Sequence, residues 1–319
     1  MKEIILITGV AGMVGSNLLK KKINISNKVI IGIDNFVLGK EKFIKDSLKK
    51  KNFFFYKTDL GKKIKSKKLK DILKKNYLSE VWLLAANSDI SKGISNSYLD
   101  FKNTYLTTFN TMEFLKKYLK KKTKIFFTSS SAVYGNINKT ISENSGPLLP
   151  ISNYGSMKLA SEAYLSTFSY LNKSNIFIFR FPNVVGKNLT HGIIFDMKKK
   201  ILSRKKFIQV LGNGNQTKPY SHVIEILKCM VFISKVNHKN KLNIFNIGTD
   251  DKGMKVRNIV NTMAKKYRSK KKIKYQKQNI GWKGDVPKYN YSTKKIKELG
   301  FAFTLGSQDS VLRAIEENF

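Results

Sequence analysis

The apolar run Ile4-Ile5-Leu6-Ile7-Thr8 passes directly into Gly9-Val10-Ala11-Gly12-Met13-Val14-Gly15 and then into a helical stretch, Val14 to Lys21. This join constrains the chain more than any other feature. A β-branched run of that length reads as a buried strand. Glycines at the join permit a tight turn and let the backbone approach a ligand closely. The helix that follows offers N–H groups and a dipole that favour an anion at its N-terminus. A phosphate-cradling turn in a parallel sheet is therefore expected, rather than glycines that merely close a loop.

The same alternation continues along the chain. Strands are expected at Ile4 to Thr8, Val29 to Ile33, Phe53 to Lys57, Glu80 to Leu84, Lys124 to Ser129, Ile176 to Phe181 and Asn243 to Ile247. Helices are expected at Val14 to Lys21, Leu69 to Lys75, Phe101 to Lys117 and Tyr154 to Leu171. Such a pattern predicts an α/β fold, a parallel sheet covered on both faces. Past Asn183 the rhythm loosens around glycine turns, which predicts a smaller mixed α/β lobe recruited from separate stretches. The expected division is 1–182 with about 220–250 for the sheet domain, and 183–219 with about 251–319 for the lobe.

Composition narrows the functional classes. The first residues, Met1 onward, read as strand and leave no room for a signal peptide. No apolar run reaches bilayer length, so no membrane span is expected. A single cysteine, Cys229, precludes an internal disulfide framework and suits a reducing, cytoplasmic setting. The net charge is +40, which would suit a polyanion. Only five of the 61 basic residues are arginine, however, and the lysines are scattered. Specific nucleic-acid readout favours arginine's two-pronged contacts, so no specific nucleic-acid partner is expected. No metal is expected either.

Two further positions carry chemistry. Asp34 ends the second strand, beside Asn35, nineteen residues after Gly15. A carboxylate there accepts ribose hydroxyls and repels a 2′-phosphate, which selects NAD over NADP. Tyr154 and Lys158 stand four apart on one helical face. A nearby ammonium would favour the phenolate and make the tyrosine a base for an alcohol. Alone, that spacing equally describes an ordinary exposed helix face. Asp59, before Leu60 at the end of the third strand, suits an adenine contact or a plain surface acid.

With these residues in view, the chain resembles the extended short-chain dehydrogenase/reductases, specifically the NAD-dependent nucleotide-sugar epimerases and dehydratases of the UDP-glucose 4-epimerase type. The resemblance rests on the glycine loop, Asp34, Leu84-Ala85-Ala86-Asn87, Asn103 and Ser130 to Gly135. It continues through Tyr154 with Lys158, Arg180-Phe181-Pro182-Asn183, His191 to Asp196 and Gly281-Trp282-Lys283-Gly284-Asp285. It implies a Rossmann-type doubly wound sheet and NAD held by Gly9, Gly12, Met13, Val14, Gly15, Asp34, Asn35, Asp59, Leu60, Leu84, Ala85, Ala86, Asn103, Phe181 and Pro182. By the same resemblance Ser130 holds the reacting sugar hydroxyl, Tyr154 is the base, and Lys158 binds the nicotinamide ribose and lowers the tyrosine's pKa. Asn87, Ser130, Asn183, Lys218 and Tyr289 would contact a nucleotide sugar, a UDP-hexose. Capping or turn roles remain the plain alternative for Asn103 and Asn183. A homodimer through the helices near Phe101 to Lys117 and Tyr154 to Leu171 is also implied.

Departures from the family pattern sharpen this reading. Relatives that eliminate water carry Thr-Asp-Glu where this chain has Ser130-Ser131-Ala132, so a 4,6-dehydratase or a decarboxylase using that glutamate is disfavoured. The implied reaction is transient oxidation at C4, with Tyr154 taking the O4 proton. A reductase that releases its cofactor is the nearest remaining enzyme. A catalytically silent RNA-binding relative is the alternative of another class, and it should have lost part of the Ser130, Tyr154, Lys158 set. Lys218, and with it Lys283, stands where relatives use arginine on the diphosphate, which trades a planar fork for a point charge.

Overall fold

The computed structural model describes residues 2–25, 28–137 and 140–318; Met1, where the signal-peptide reading began, lies outside them. Seven strands form the central sheet: β1 (Glu3–Thr8), β2 (Lys28–Asp34), β3 (Phe53–Lys57), β4 (Tyr77–Leu83), β5 (Lys124–Ser130), then Asn175–Phe181 and Leu242–Asn246. Their order across the sheet, from Leu242–Asn246, is Asn175–Phe181, β5, β4, β1, β2, β3. Every neighbouring pair is parallel. The order reverses between β1 and β4, so a crevice opens there at the carboxyl ends of the strands.

Alternation of side chains explains why the strands are apolar throughout. Ile5 and Ile7 of β1 enter one core with Leu18 and Leu19 of helix α1 (Met13–Lys22) and Ile226, Met230 and Ile233 of helix Val223–Lys235. Ile4 and Leu6 enter the opposite core with Leu69 and Leu73, Met112 and Leu115, and Leu165 and Phe168 of three other helices. Both faces are thus covered, and a polar residue on either must find its hydrogen-bond partner within the fold.

A third core, including Leu189, Ile194, Met197, Ile208, Val260, Met263 and Ile315, packs elements outside the large sheet. Short strand pairs frame it, among them Phe207–Val210 with Lys272–Tyr275. Ile296, in helix Lys294–Glu298, is buried in the first core, so the chain returns to the large sheet before its last helix, Ser307–Glu317.

The expected helix Phe101 to Lys117 departs from regularity. It opens as a short turn, Ser97–Asp100, widens to a π-helix at Phe101–Leu106 and becomes α-helical at Thr107–Leu115. Threonine hydroxyls explain the local bending. The Thr107 hydroxyl reaches Thr104 O at 2.9 Å and Ala85 O at 3.2 Å, and that of Thr111 reaches Thr107 O at 2.6 Å. Such wide turns occur at functional sites, and Asn103 sits within this one. Among the described residues, no helix is long and apolar enough to cross a membrane.

Candidate active site

A cleft of about 560 Å³ runs over the carboxyl ends of the strands and is lined by residues from Gly9 to Tyr289. Its floor is the glycine turn. Gly9 has φ +65°, and a Cβ on Gly15 would stand 2.2 Å from Gly9 O, so neither position admits a side chain without moving backbone. Gly12 caps α1 with no side-chain hydrogen bond, and the first turn holds no acid. The amides at Met13 and Val14 are therefore available to an anion in the cleft. Asp34 is buried, its Oδ2 accepting from Ala11 N at 2.9 Å and its Oδ1 from Phe36 N at 2.8 Å. Burial pushes its carboxyl up, and these backbone N–H groups hold it back. Each oxygen keeps a lone pair for a ribose hydroxyl.

Asn35, Leu60, Leu84, Ala85, Ala86, Asn103, Phe181 and Pro182 line the cleft as the sequence indicated. Thr8 Oγ1 pins the β4 exit by accepting from Leu84 N at 3.0 Å and Ala85 N at 3.2 Å. Asp59 is the exception. It pairs with Lys102 at 3.0 Å and accepts from Gly61 N, and it is not part of the cleft wall, where its neighbours Thr58 and Leu60 stand. These features (a turn that a Cβ would fill, uncapped helix amides, an oriented carboxylate) fit a dinucleotide with a free 2′-hydroxyl.

Ser130 ends β5 and accepts from Ala132 N at 3.1 Å. Tyr154 and Lys158 enter on helix Asn153–Asn172, whose start is fixed by Ser152 Oγ accepting from Gly155 N at 3.1 Å. Lys158 is 2% exposed; its Nζ donates to Thr128 O and lies 4.7 Å from the Phe127 ring and 5.8 Å from the Tyr154 ring. Burial lowers the Lys158 ammonium to about 7, with Glu162 acting the other way. Burial also pushes the Tyr154 phenol well up, against a hydrogen bond with Ser130. The expected lowering of the phenol by Lys158 is not seen in the chain itself, because losing water disfavours both charges.

The substrate side differs more from expectation. Asn87 lines the cleft, but its amide is bound internally, donating to Asp100 Oδ1 at 2.6 Å and to Asp89 O at 3.2 Å. It holds a loop in shape more than it offers a contact. Asn183 Nδ2 donates to Pro219 O at 3.2 Å and lines the cleft. Lys218 is paired with Asp285, whose Oδ2 accepts from Gly281 N at 3.0 Å, and its Nζ lies 4.7 Å from the Trp282 ring. Its charge is therefore already balanced. Lys283 is exposed outside the cleft wall, and Trp282 faces the cleft in its place. Tyr289 lines the cleft with its OH 3.2 Å from Ser131 Oγ.

Sequence reading assigned no role to the charged wall formed by Asp89, Lys92, Asp196 and Lys200, nor to the His191 side chain, whose ionisation burial suppresses. Asp89 and Lys92 are far from His191, Asp196 and Lys200 in the sequence, so no local spacing joins the two groups. It also missed a buried ion pair behind Lys158, Arg180 with Glu162 at 2.6 Å.

Comparison with known proteins places this geometry. The NAD-dependent epimerase/dehydratase family is matched over residues 5–248. The chain is 27% identical over 315 residues to a putative UDP-glucose 4-epimerase of Methanocaldococcus jannaschii, covering 98% of this chain and 97% of that one. A crystal structure of a UDP-galactose 4-epimerase is 25% identical with a TM-score of 0.82, covering 99% of this chain and 98% of that one. The UDP-glucuronic acid 4-epimerase of Bacillus cereus, in complex with UDP-glucuronic acid and NAD, shares the fold at TM-score 0.85 and 22% identity, again over 99% and 98%.

Proposed function

Because this chain belongs to the NAD-dependent epimerase/dehydratase family, we propose that it inverts a nucleotide sugar, a UDP-hexose, at C4 through a transient 4-keto intermediate. The observation that carries the reading is the convergence of Ser130, Tyr154 and Lys158 on one cleft wall beside Phe181 and Pro182. Ser130 orients the sugar hydroxyl and Tyr154 takes its proton. Lys158 holds the nicotinamide ribose and, when ionised, adds positive charge beside the phenol. Bound NAD⁺ supplies the hydride acceptor and a further positive charge that favours the phenolate. The enclosing walls keep the ketone oriented and exclude bulk water.

Neither Ser131 nor Ala132 provides an acid or base for eliminating water, and Ser131 is already engaged with Tyr289. That supports epimerisation over dehydration. Tyr289 narrows the sugar pocket, which favours plain hexoses. Lys218 meets the diphosphate by exchanging part of its bond to Asp285 for phosphate oxygen.

A homodimer is part of the same reading. Phe101 is 36% exposed, Tyr170 85% and Leu171 71%, all on the elements expected to pair. Burying them against a second copy would remove a large apolar area from water. The single buried cysteine, Cys229, agrees with a reducing, cytoplasmic compartment. Incubation with UDP-glucose, UDP-galactose, UDP-glucuronate and their N-acetyl analogues tests the substrate, read by product NMR. Inversion of none of them would sink the proposal.

A further inference from the structure

Lys158 sits in apolar surroundings, and on the next turn of the same helix stands Glu162, 5% exposed. Glu162 accepts from Arg180 Nε at 3.0 Å and Nη2 at 2.6 Å, and from Ser129 Oγ. Arg180, itself 3% exposed, donates from Nη1 to Tyr134 OH at 2.9 Å. Tyr134 donates in turn to Asn246 Oδ1 at 2.7 Å. This network joins five elements: the helix carrying Tyr154 and Lys158, the end of β5 with Ser129, the short turn Ser131–Tyr134, strand Asn175–Phe181 and strand Leu242–Asn246.

A buried ion pair adds little stability over apolar residues of the same volume, so its place behind the catalytic lysine invites another explanation. We propose that Glu162 and Arg180 are positioning residues, a charge-balanced pair that keeps the Lys158 ammonium ionised and in register beside Tyr154. Burial draws Lys158 down, to about 7 even with Glu162 opposing it. Arg180 limits how far that opposition reaches. Glu162 without Arg180 would overstabilise the ammonium, and Arg180 without Glu162 would expel it.

The groups facing Lys158 bear this out. Its own helix contributes the Tyr154 ring, 5.8 Å away, and Glu162, through which Arg180 of strand Asn175–Phe181 is linked to it. Tyr134 lies behind Arg180, its phenol pushed up to about 12 by burial. Asp100 acts on Tyr154 from the turn before the π-helix. β5 presents the Thr128 carbonyl and the Phe127 ring.

The effect on turnover rests on the catalytic role proposed for Lys158; the effect on ionisation does not. The test therefore reads both. Isotope-labelled lysines are titrated by NMR in the full chain, Lys158 being the resonance missing from Lys158→Met. Glu162→Gln should lower the Lys158 midpoint by roughly one pH unit, and Arg180→Met should raise it by a similar amount. The double variant should return it to within roughly half a unit of the parent. Midpoints that stay together in all variants overturn the inference. In the NAD-loaded protein, the alkaline limb of the kcat profile should follow each midpoint. Midpoints that move while the limb stays fixed support the pair's effect on ionisation and remove Lys158 from the catalytic reading. If Glu162→Gln does not fold with Arg180 unpaired, Arg180→Met alone decides: an upward shift supports the pair and an unmoved midpoint overturns it.

Discussion

Replacing Gly15 by alanine tests whether the first turn is a phosphate cradle. The new Cβ would stand 2.2 Å from Gly9 O and 2.8 Å from Val10 Cα, both rigid backbone atoms. An ordinary contact needs a separation about 1 Å larger, so the turn must open. Overpacking of this kind costs about 1–3 kcal/mol, which lowers the melting temperature of the NAD-free chain by several degrees, at about 2–4 °C per kcal/mol for a domain of this size. Opening the turn also withdraws amides from the pyrophosphate. Losing one hydrogen bond to a charged group is worth about 1.5–3 kcal/mol, a roughly 10- to 100-fold weaker Kd. Gly12→Ala is a graded comparison, because its Cβ would meet Gly9 O at 3.2 Å and needs only a small shift. Calorimetric titration with NAD, alongside melting curves, reads both effects. Unchanged NAD affinity in Gly15→Ala would refute the cradle.

Tyr154→Phe should cut kcat about 10³-fold while leaving NAD binding intact, since the ring stays and the proton acceptor goes; turnover and NAD titration measure it. Asp285→Asn leaves the Lys218 ammonium buried without its carboxylate and should cost on the order of 3 kcal/mol in a urea melt. Lys158 also predicts a pH signature. Folded, its ammonium titrates at about 7 against a reference of 10.5, so between those values the unfolded chain holds more protons. Stability contributed at this residue therefore rises with pH through that window, by at most a few kcal/mol. Stability measured against pH should climb more steeply for the parent than for Lys158→Met, and parallel curves would contradict the depressed ionisation.

The sheet was legible because its inner strands are apolar runs buried on two faces, and all seven lie within three residues of their expected ends. The glycine turn and Asp34 were legible for a related reason: chemistry there depends on contiguous spacing. What escaped depends on contacts between distant segments. Lys218 is balanced by Asp285, 67 residues away, and Glu162 by Arg180 on another element. Asp59 differs from its cleft-lining neighbours Thr58 and Leu60 by one position at the end of a strand, where direction is set by the turn rather than by the run. The π-helix carrying Asn103 runs into a helix whose threonine hydroxyls bond back to carbonyls, and no hydrophobic period reports either feature.

The central claim is reversible oxidation at C4, with NAD as the hydride acceptor and a base beside it taking the hydroxyl proton. It is tested most directly with UDP-glucose deuterated at C4, a catalytic amount of NAD, and product NMR. The account predicts UDP-galactose that retains deuterium at C4, with no net reduction of the cofactor. A 4-keto-6-deoxy product, exchange of the C4 deuterium with solvent, or stoichiometric accumulation of reduced NAD would contradict it.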